Sequence, residues 1–122
     1  MATVFIIDDD EIVRRSLARM LRAGGLQVVP FGDADEALQR LVEKPDLLIC
    51  DYHMPRVTGL AIAGEAKKRT PEIKIILLSG GVSDDPVVAA LKAKIIDRFL
   101  TKPWHVDDLL LVVKELLAPP KP

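Results

Sequence analysis

The sequence contains no asparagine, one cysteine and no apolar run of membrane-spanning length. Without asparagine, N-linked glycosylation is excluded. Cys50 has no second cysteine to pair with, so no internal disulfide forms and a reducing compartment is expected. A transmembrane helix needs roughly 18 apolar residues in a row, and the runs here are far shorter. Charge of one sign is lacking as well. Seventeen basic residues against eighteen acidic leave a net charge of -1, which gives no overall basic character for nucleic acid. The first residues run straight into an apolar stretch ending in acids, without the basic start and apolar length of a secretory signal. A cytoplasmic chain with no direct nucleic-acid or membrane partner is therefore expected. Its 122 residues suit one domain. That domain is expected over 1–118, with a proline-rich tail or linker stub over 119–122.

What is present is an alternation. Short apolar runs at Val4–Ile7, Leu26–Val29, Leu47–Cys50, Ile73–Leu78 and Arg98–Thr101 are bounded by acids, glycines or prolines. The first, third and fourth are nearly continuous hydrophobics, as strands covered on both faces should be. Between them lie helical patterns. Ile12, Leu17, Met20 and Leu21 make one stripe, and Ala34, Ala37, Leu38 and Leu41 a second, with Asp33 placed as an N-cap. The spacing predicts further helices over 59–69, 83–93 and 106–117, the fourth with Ser83 as cap and Pro86 near its first turn. Five strand–helix units in alternation predict a doubly wound α/β fold with a parallel sheet.

In such a sheet, ligands bind at the carboxyl ends of the strands. Asp8, Asp9 and Asp10 follow the first strand, and Asp51 the third. Ser79, Gly80 and Gly81 follow the fourth, and Lys102 and Pro103 the fifth. Carboxylates within about 4 Å repel by roughly 4 kcal/mol per pair at an effective dielectric of 20, so such a cluster takes up protons or binds a cation. All-oxygen ligands select a hard ion, Mg²⁺ in the first place and Mn²⁺ as a possible substitute. A cation, a lysine and a hydroxyl around a spare carboxylate form a phosphoryl-transfer site, in which Asp51 attacks in line and Lys102 offsets oxygen charge.

These residues resemble the receiver domain of two-component response regulators. The resemblance runs from Val4 to about Leu117 and rests on five pieces in order. They are Ile6-Ile7-Asp8-Asp9-Asp10, Asp51-Tyr52-His53-Met54-Pro55, Gly59, Ser79-Gly80 and Phe99-Leu100-Thr101-Lys102-Pro103. The resemblance implies a flavodoxin-like five-stranded sheet of order 2-1-3-4-5. It implies Asp51 as phosphoacceptor, and Asp8, Asp9, Asp51 and the backbone carbonyl of His53 as Mg²⁺ ligands. Lys102 would pair with the phosphoryl group, held by a cis bond to Pro103. Ser79 would bind a phosphoryl oxygen, and Phe99 would move inward as the aromatic switch. The implied phosphodonor is a sensor histidine kinase or phosphotransfer protein. The implied readout is an output domain, a downstream protein or a second copy meeting the face of the fourth helix, fifth strand and fifth helix. Self-phosphorylation and self-dephosphorylation would be its only chemistry.

Competing readings accompany several of these residues. Asp8 and Asp9 could simply favour the next helix N-terminus, and Asp10 suits that role best. Phe99 could be plain core, and Trp104 either caps the core or marks a partner surface. His53, with Gly81, should flank the path of the attacking water and tune dephosphorylation, by orienting the water or shielding the bond. Lys94 stands where the family often has a glycine to end the fourth helix, which suggests an altered last turn. A haloacid-dehalogenase-type phosphohydrolase using Asp8 as nucleophile is the alternative of a different class. It would leave Asp51 idle and place Ile12 where that family usually has threonine or valine. No P-loop run occurs.

Overall fold

The computed structural model describes residues 2–54, 56–80, 85–101 and 106–118. The elements follow in the expected alternation: β1 Thr3–Ile7, α1 Glu11–Ala23, β2 Gln27–Phe31, α2 Ala34–Gln39, a 3₁₀ turn Arg40–Glu43, β3 Leu47–Asp51, α3 Gly59–Arg69, β4 Lys74–Ser79, α4 Asp85–Lys92, β5 Arg98–Thr101 and α5 Val106–Leu117. All strands are parallel, in the order β2-β1-β3-β4-β5.

Alternation along the strands splits the core into two layers. Phe5, Ile7, Leu48, Cys50, Ile75 and Leu77 face one side, where α2, α3 and α4 contribute Ala37, Ile62, Ala63, Ala66 and Ala90. Val4, Ile6, Leu47, Ile49, Ile76 and Leu78 face the other, against Leu17 and Leu21 of α1 and Leu109 and Val113 of α5. Both faces are thus covered, which explains why β1, β3 and β4 are apolar at every position but their ends. Among the described residues, no helix is long and apolar enough to cross a membrane.

Local chemistry sets the helix ends. Asp10 caps α1, its carboxylate accepting from the N–H groups of Ile12 and Val13 at 2.9 and 3.4 Å. The helix stops at Gly24-Gly25, where Gly25 takes a positive φ of 90° that suits glycine. Ile12 departs from its expected place in the buried stripe and is 77% exposed. It lies five residues before Leu17, about 140° around the helix, so it cannot share that face, and Val13 takes the inner edge instead. β2 runs two residues further than expected, through Pro30 to Phe31. Proline is tolerated there because β2 is an edge strand.

The fourth helix ends as if Lys94 were the glycine. Its φ is 59°, and the N–H groups of Ile95 and Ile96 both reach back to the Ala90 carbonyl, at 2.9 and 3.4 Å. The left-handed turn is kept because it drives Ile96 into the core, where it is 1% exposed. Holding a lysine in that conformation costs about 1 kcal/mol. Lys94→Gly is therefore expected to raise the unfolding free energy by about that amount in urea titrations. A loss would contradict this account of the helix end. Ser83, expected as a cap of α4, lies outside the described residues, as do Trp104 and residues 119–122.

Candidate functional site

Strand register gathers the site. Ile7 of β1 pairs with Cys50 of β3, so the next residues, Asp8 and Asp51, emerge side by side. Asp51 pairs with Leu78 of β4, and Ser79 follows it, paired in turn with Thr101 of β5. The consequence is a cluster at the carboxyl end of the sheet. One carboxylate oxygen each from Asp8, Asp9 and Asp51 lies within 4.8 Å of the other two. Asp8 is 1% exposed, Asp51 8% and Ser79 4%, while Asp9 is exposed. Buried acids beside a buried hydroxyl at strand ends are unusual for packing alone.

Asp8 is held by its backbone as well as its side chain. Its N–H donates to the Phe31 carbonyl at 3.1 Å. Its carbonyl accepts from Nη1 of Arg14 at 2.8 Å, and its Oδ1 accepts from the Asp10 N–H at 2.9 Å. Asp10 itself caps α1 and stands outside the three-acid cluster, which settles its role as helix-directed. Next to Asp51, burial pushes the Cys50 thiol far up, with the charges of Asp51 and Asp8 adding to the effect. Cys50 is thus an uncharged neighbour, its thiol donating to the Asp51 carbonyl at 3.3 Å.

Gly59 opens α3 directly against this strand end. Its N–H donates to the Tyr52 carbonyl at 2.7 Å. A Cβ there would stand 2.5 Å from the Asp51 carbonyl oxygen and 2.9 Å from the Tyr52 Cα. The glycine is therefore what lets α3 and the end of β3 close on each other. Between them His53 is exposed, bridges to Thr58 and sets its ring 4.9 Å from that of Tyr52. Phe99 is half-buried, opposite Leu77, and packs against the α2–α3–α4 layer. Lys102, Pro103 and Gly81 lie outside the described residues. Arg14 and Gly32 were not singled out by the sequence. An arginine inside an amphipathic helix gives no local sign of an inward contact.

The donor set fits Mg²⁺. An octahedral Mg²⁺ with oxygens at about 2.1 Å keeps neighbouring ligands about 3 Å apart and opposite ones about 4 Å apart. Three carboxylate oxygens within 4.8 Å are compatible with that spacing, and their gathered negative charge favours a cation. No nitrogen or sulfur ligand joins them among the described residues.

The profile of one protein family, the response regulator receiver domain, matches residues 4–114. Over 116 residues the chain is 32% identical to the DNA-binding transcriptional regulator NtrC of Escherichia coli K12. That alignment covers 94% of this chain and 24% of NtrC, so the chain spans about a quarter of that relative's length. Among solved structures, a response regulator receiver domain protein from Clostridium thermocellum superposes with a TM-score of 0.88 at 28% identity, covering 96% of this chain and 94% of that one. The response regulator TrrA of Thermotoga maritima, solved in complex with Mg²⁺ and beryllofluoride, superposes with a TM-score of 0.82 at 30% identity. The coverage there is 96% of this chain and 100% of that one. The haloacid-dehalogenase alternative finds no support in these comparisons.

Proposed function

This chain belongs to the response regulator receiver family, whose members are phospho-accepting switches of two-component signalling, and we propose on that footing that Asp51 carries the phosphoryl group. The observation that supports this most is the meeting of Asp8, Asp9 and Asp51 within 4.8 Å, with Asp51 on the central strand. When bound, Mg²⁺ neutralises the acids and offsets charge on the phosphoryl oxygens. Asp8, Asp9, Asp51 and the backbone carbonyl of His53 would hold it. Mn²⁺, equally hard and divalent, suits the same oxygens.

The residues then divide the work. An Asp51 carboxylate oxygen attacks the phosphorus of a phosphohistidine on a sensor kinase or phosphotransfer protein. The new P–O bond forms as the P–N bond breaks, and the donor imidazole leaves. Lys102, oriented by Pro103, pairs with a phosphoryl oxygen, and the Ser79 hydroxyl donates a hydrogen bond to another. The movement of Ser79 opens space into which Phe99 turns, biasing two conformations of the α4–β5–α5 face. Exposed Val88 on α4 and Leu111 on α5 offer apolar contacts on those elements to an output domain, a partner or a second copy of the chain. The chemistry is confined to the domain's own aspartyl phosphate, in the reducing interior of the cell.

Incubation with acetyl phosphate tests this reading. A single phosphoryl adduct in the intact mass is expected with Mg²⁺ and none with EDTA. No adduct under either condition would overturn it. His53, exposed two residues after Asp51, sets the lifetime of that adduct together with Gly81 by controlling the water that attacks it. His53→Ala should change the first-order decay rate several-fold, and equal rates would remove the role.

A further inference from the structure

α1 carries Arg14, Arg15, Arg19 and Arg22, and three of them have assigned work. Arg15 forms an exposed pair with Glu11, and Arg22 donates to the Val28 carbonyl. Arg14 differs, because it turns into the strand-end loop. Its Nη1 donates to the Asp8 carbonyl at 2.8 Å. The guanidinium reaches that atom by lying across Gly32 at the end of β2. A Cβ built on Gly32 would meet Arg14 Nη1 at 2.9 Å, Cζ at 3.4 Å and Nη2 at 3.7 Å, its three nearest contacts beyond the neighbouring residues.

Resting on the receiver reading above, we infer that Arg14 is a positioning residue for the cation site, seated through Gly32. Two bonds on the Asp8 backbone, to Phe31 and to Arg14, fix the residue whose carboxylate belongs to the three-acid cluster. Asp8 directly follows β1, and the chain turns at once into α1, so its carbonyl lies past the last strand pairing. The guanidinium supplies the donor that the sheet no longer does. The Arg14 backbone belongs to the first turn of α1, its N–H donating to the Asp10 carbonyl at 2.9 Å, so the side-chain bond to Asp8 links that turn to the strand end. Groups that orient a metal ligand from behind change metal affinity about 10-fold or more when lost.

Two opposed effects need separating. Losing Arg14 loosens Asp8, which weakens cation binding, and removes a positive charge, which strengthens it. The charge is aimed at a carbonyl and is partly exposed, so solvent screens it and the positional effect wins. Gly32→Ala isolates the positional effect. The methyl pushes aside the flexible end of Arg14, which makes its three nearest contacts, and keeps the charge.

The test is a Mg²⁺ titration followed by amide NMR shifts on wild type, Arg14→Gln, Gly32→Ala and the double variant. Both single variants should bind Mg²⁺ about 10-fold more weakly, and the double variant no more weakly than either, because one contact underlies both. In EDTA, hydrogen exchange at the Asp10 amide, which is bonded to Asp8 Oδ1, should accelerate in all three. Unchanged or tighter Mg²⁺ binding in Gly32→Ala, or additive losses in the double variant, would overturn the inference. Should Arg14→Gln fail to fold, Gly32→Ala decides it alone. A wild type that binds no Mg²⁺ would sink the receiver reading and this inference together, whereas equal binding by all four proteins would sink this inference only.

Discussion

Asp51→Asn is expected to accept no phosphoryl group and, without metal, to melt at a higher temperature than the wild type. The first part follows from chemistry, since an amide is no nucleophile for phosphorus. The second follows from the cluster. Asp51 and Asp8 are nearly buried, and their oxygens and those of Asp9 lie within 4.8 Å. A carboxylate pair at that separation repels by about 3 kcal/mol at an effective dielectric of 20. Exposure of Asp9 lessens the sum, which leaves a gain of about 1–2 kcal/mol for removing one charge. For a domain of this size that is about 4–8 °C in melting temperature. Saturating Mg²⁺ should narrow or reverse the difference, because ligand binding stabilises the wild type in proportion to its affinity. Melting curves in EDTA and in Mg²⁺ would show both effects. A variant less stable than wild type in EDTA would mean that the acids do not repel one another as their geometry requires.

Gly59→Ala is expected to be the most damaging glycine-to-alanine substitution among the described residues, costing about 3 kcal/mol. The added methyl would sit 2.5 Å from the Asp51 carbonyl oxygen and 2.9 Å from the Tyr52 Cα. Leu77 Cδ1, at 2.6 Å, can rotate away, but the two backbone atoms cannot move without shifting Asp51, the proposed phosphoacceptor. Phosphoryl uptake should therefore fall together with stability. Gly64 on the same helix is the internal comparison. A Cβ there meets nothing within 4 Å, so Gly64→Ala should stabilise α3 by up to about 1 kcal/mol with uptake unchanged. Urea titrations and acetyl phosphate labelling of the two variants test the contrast. Equal stabilities would show that α3 is not seated on β3 as described.

Most of the scaffold was legible because a doubly wound sheet writes itself in uninterrupted apolar runs. β1, β3 and β4 are buried on both faces over most of their length, and β3 and β4 run one residue further than expected, taking in Asp51 and Ser79. Edges were harder. β2 passes through Pro30, which reads as a stop, and only its place at the margin of the sheet makes that proline harmless. Ile12 reads as core by type, yet its angular position on α1 leaves it in solvent. Lys94 shows a tertiary demand overriding local preference, since burying Ile96 holds a lysine at positive φ.

The site divides in the same way. Asp8, Asp9, Asp51 and Ser79 could be placed at one edge from the sequence because strand ends in a parallel sheet share it, so position in the alternation translates directly into proximity. Gly59 was visible as a spacing, but its reason, contact with the Asp51 carbonyl, is a fact of packing. Arg14 and Gly32 are eighteen positions apart and carry no shared pattern, so their contact emerges only when β2 lies beside α1.

The central claim is that one particular carboxylate, Asp51, receives the phosphoryl group. Borohydride reduction of the acetyl phosphate-treated protein, followed by peptide mass mapping, reads this out directly, because an aspartyl phosphate is reduced to homoserine and an unmodified aspartate is not. Homoserine at position 51 alone, dependent on Mg²⁺ during labelling, is the result expected. Homoserine at position 8 or 9, or at none of the aspartates, would contradict the account.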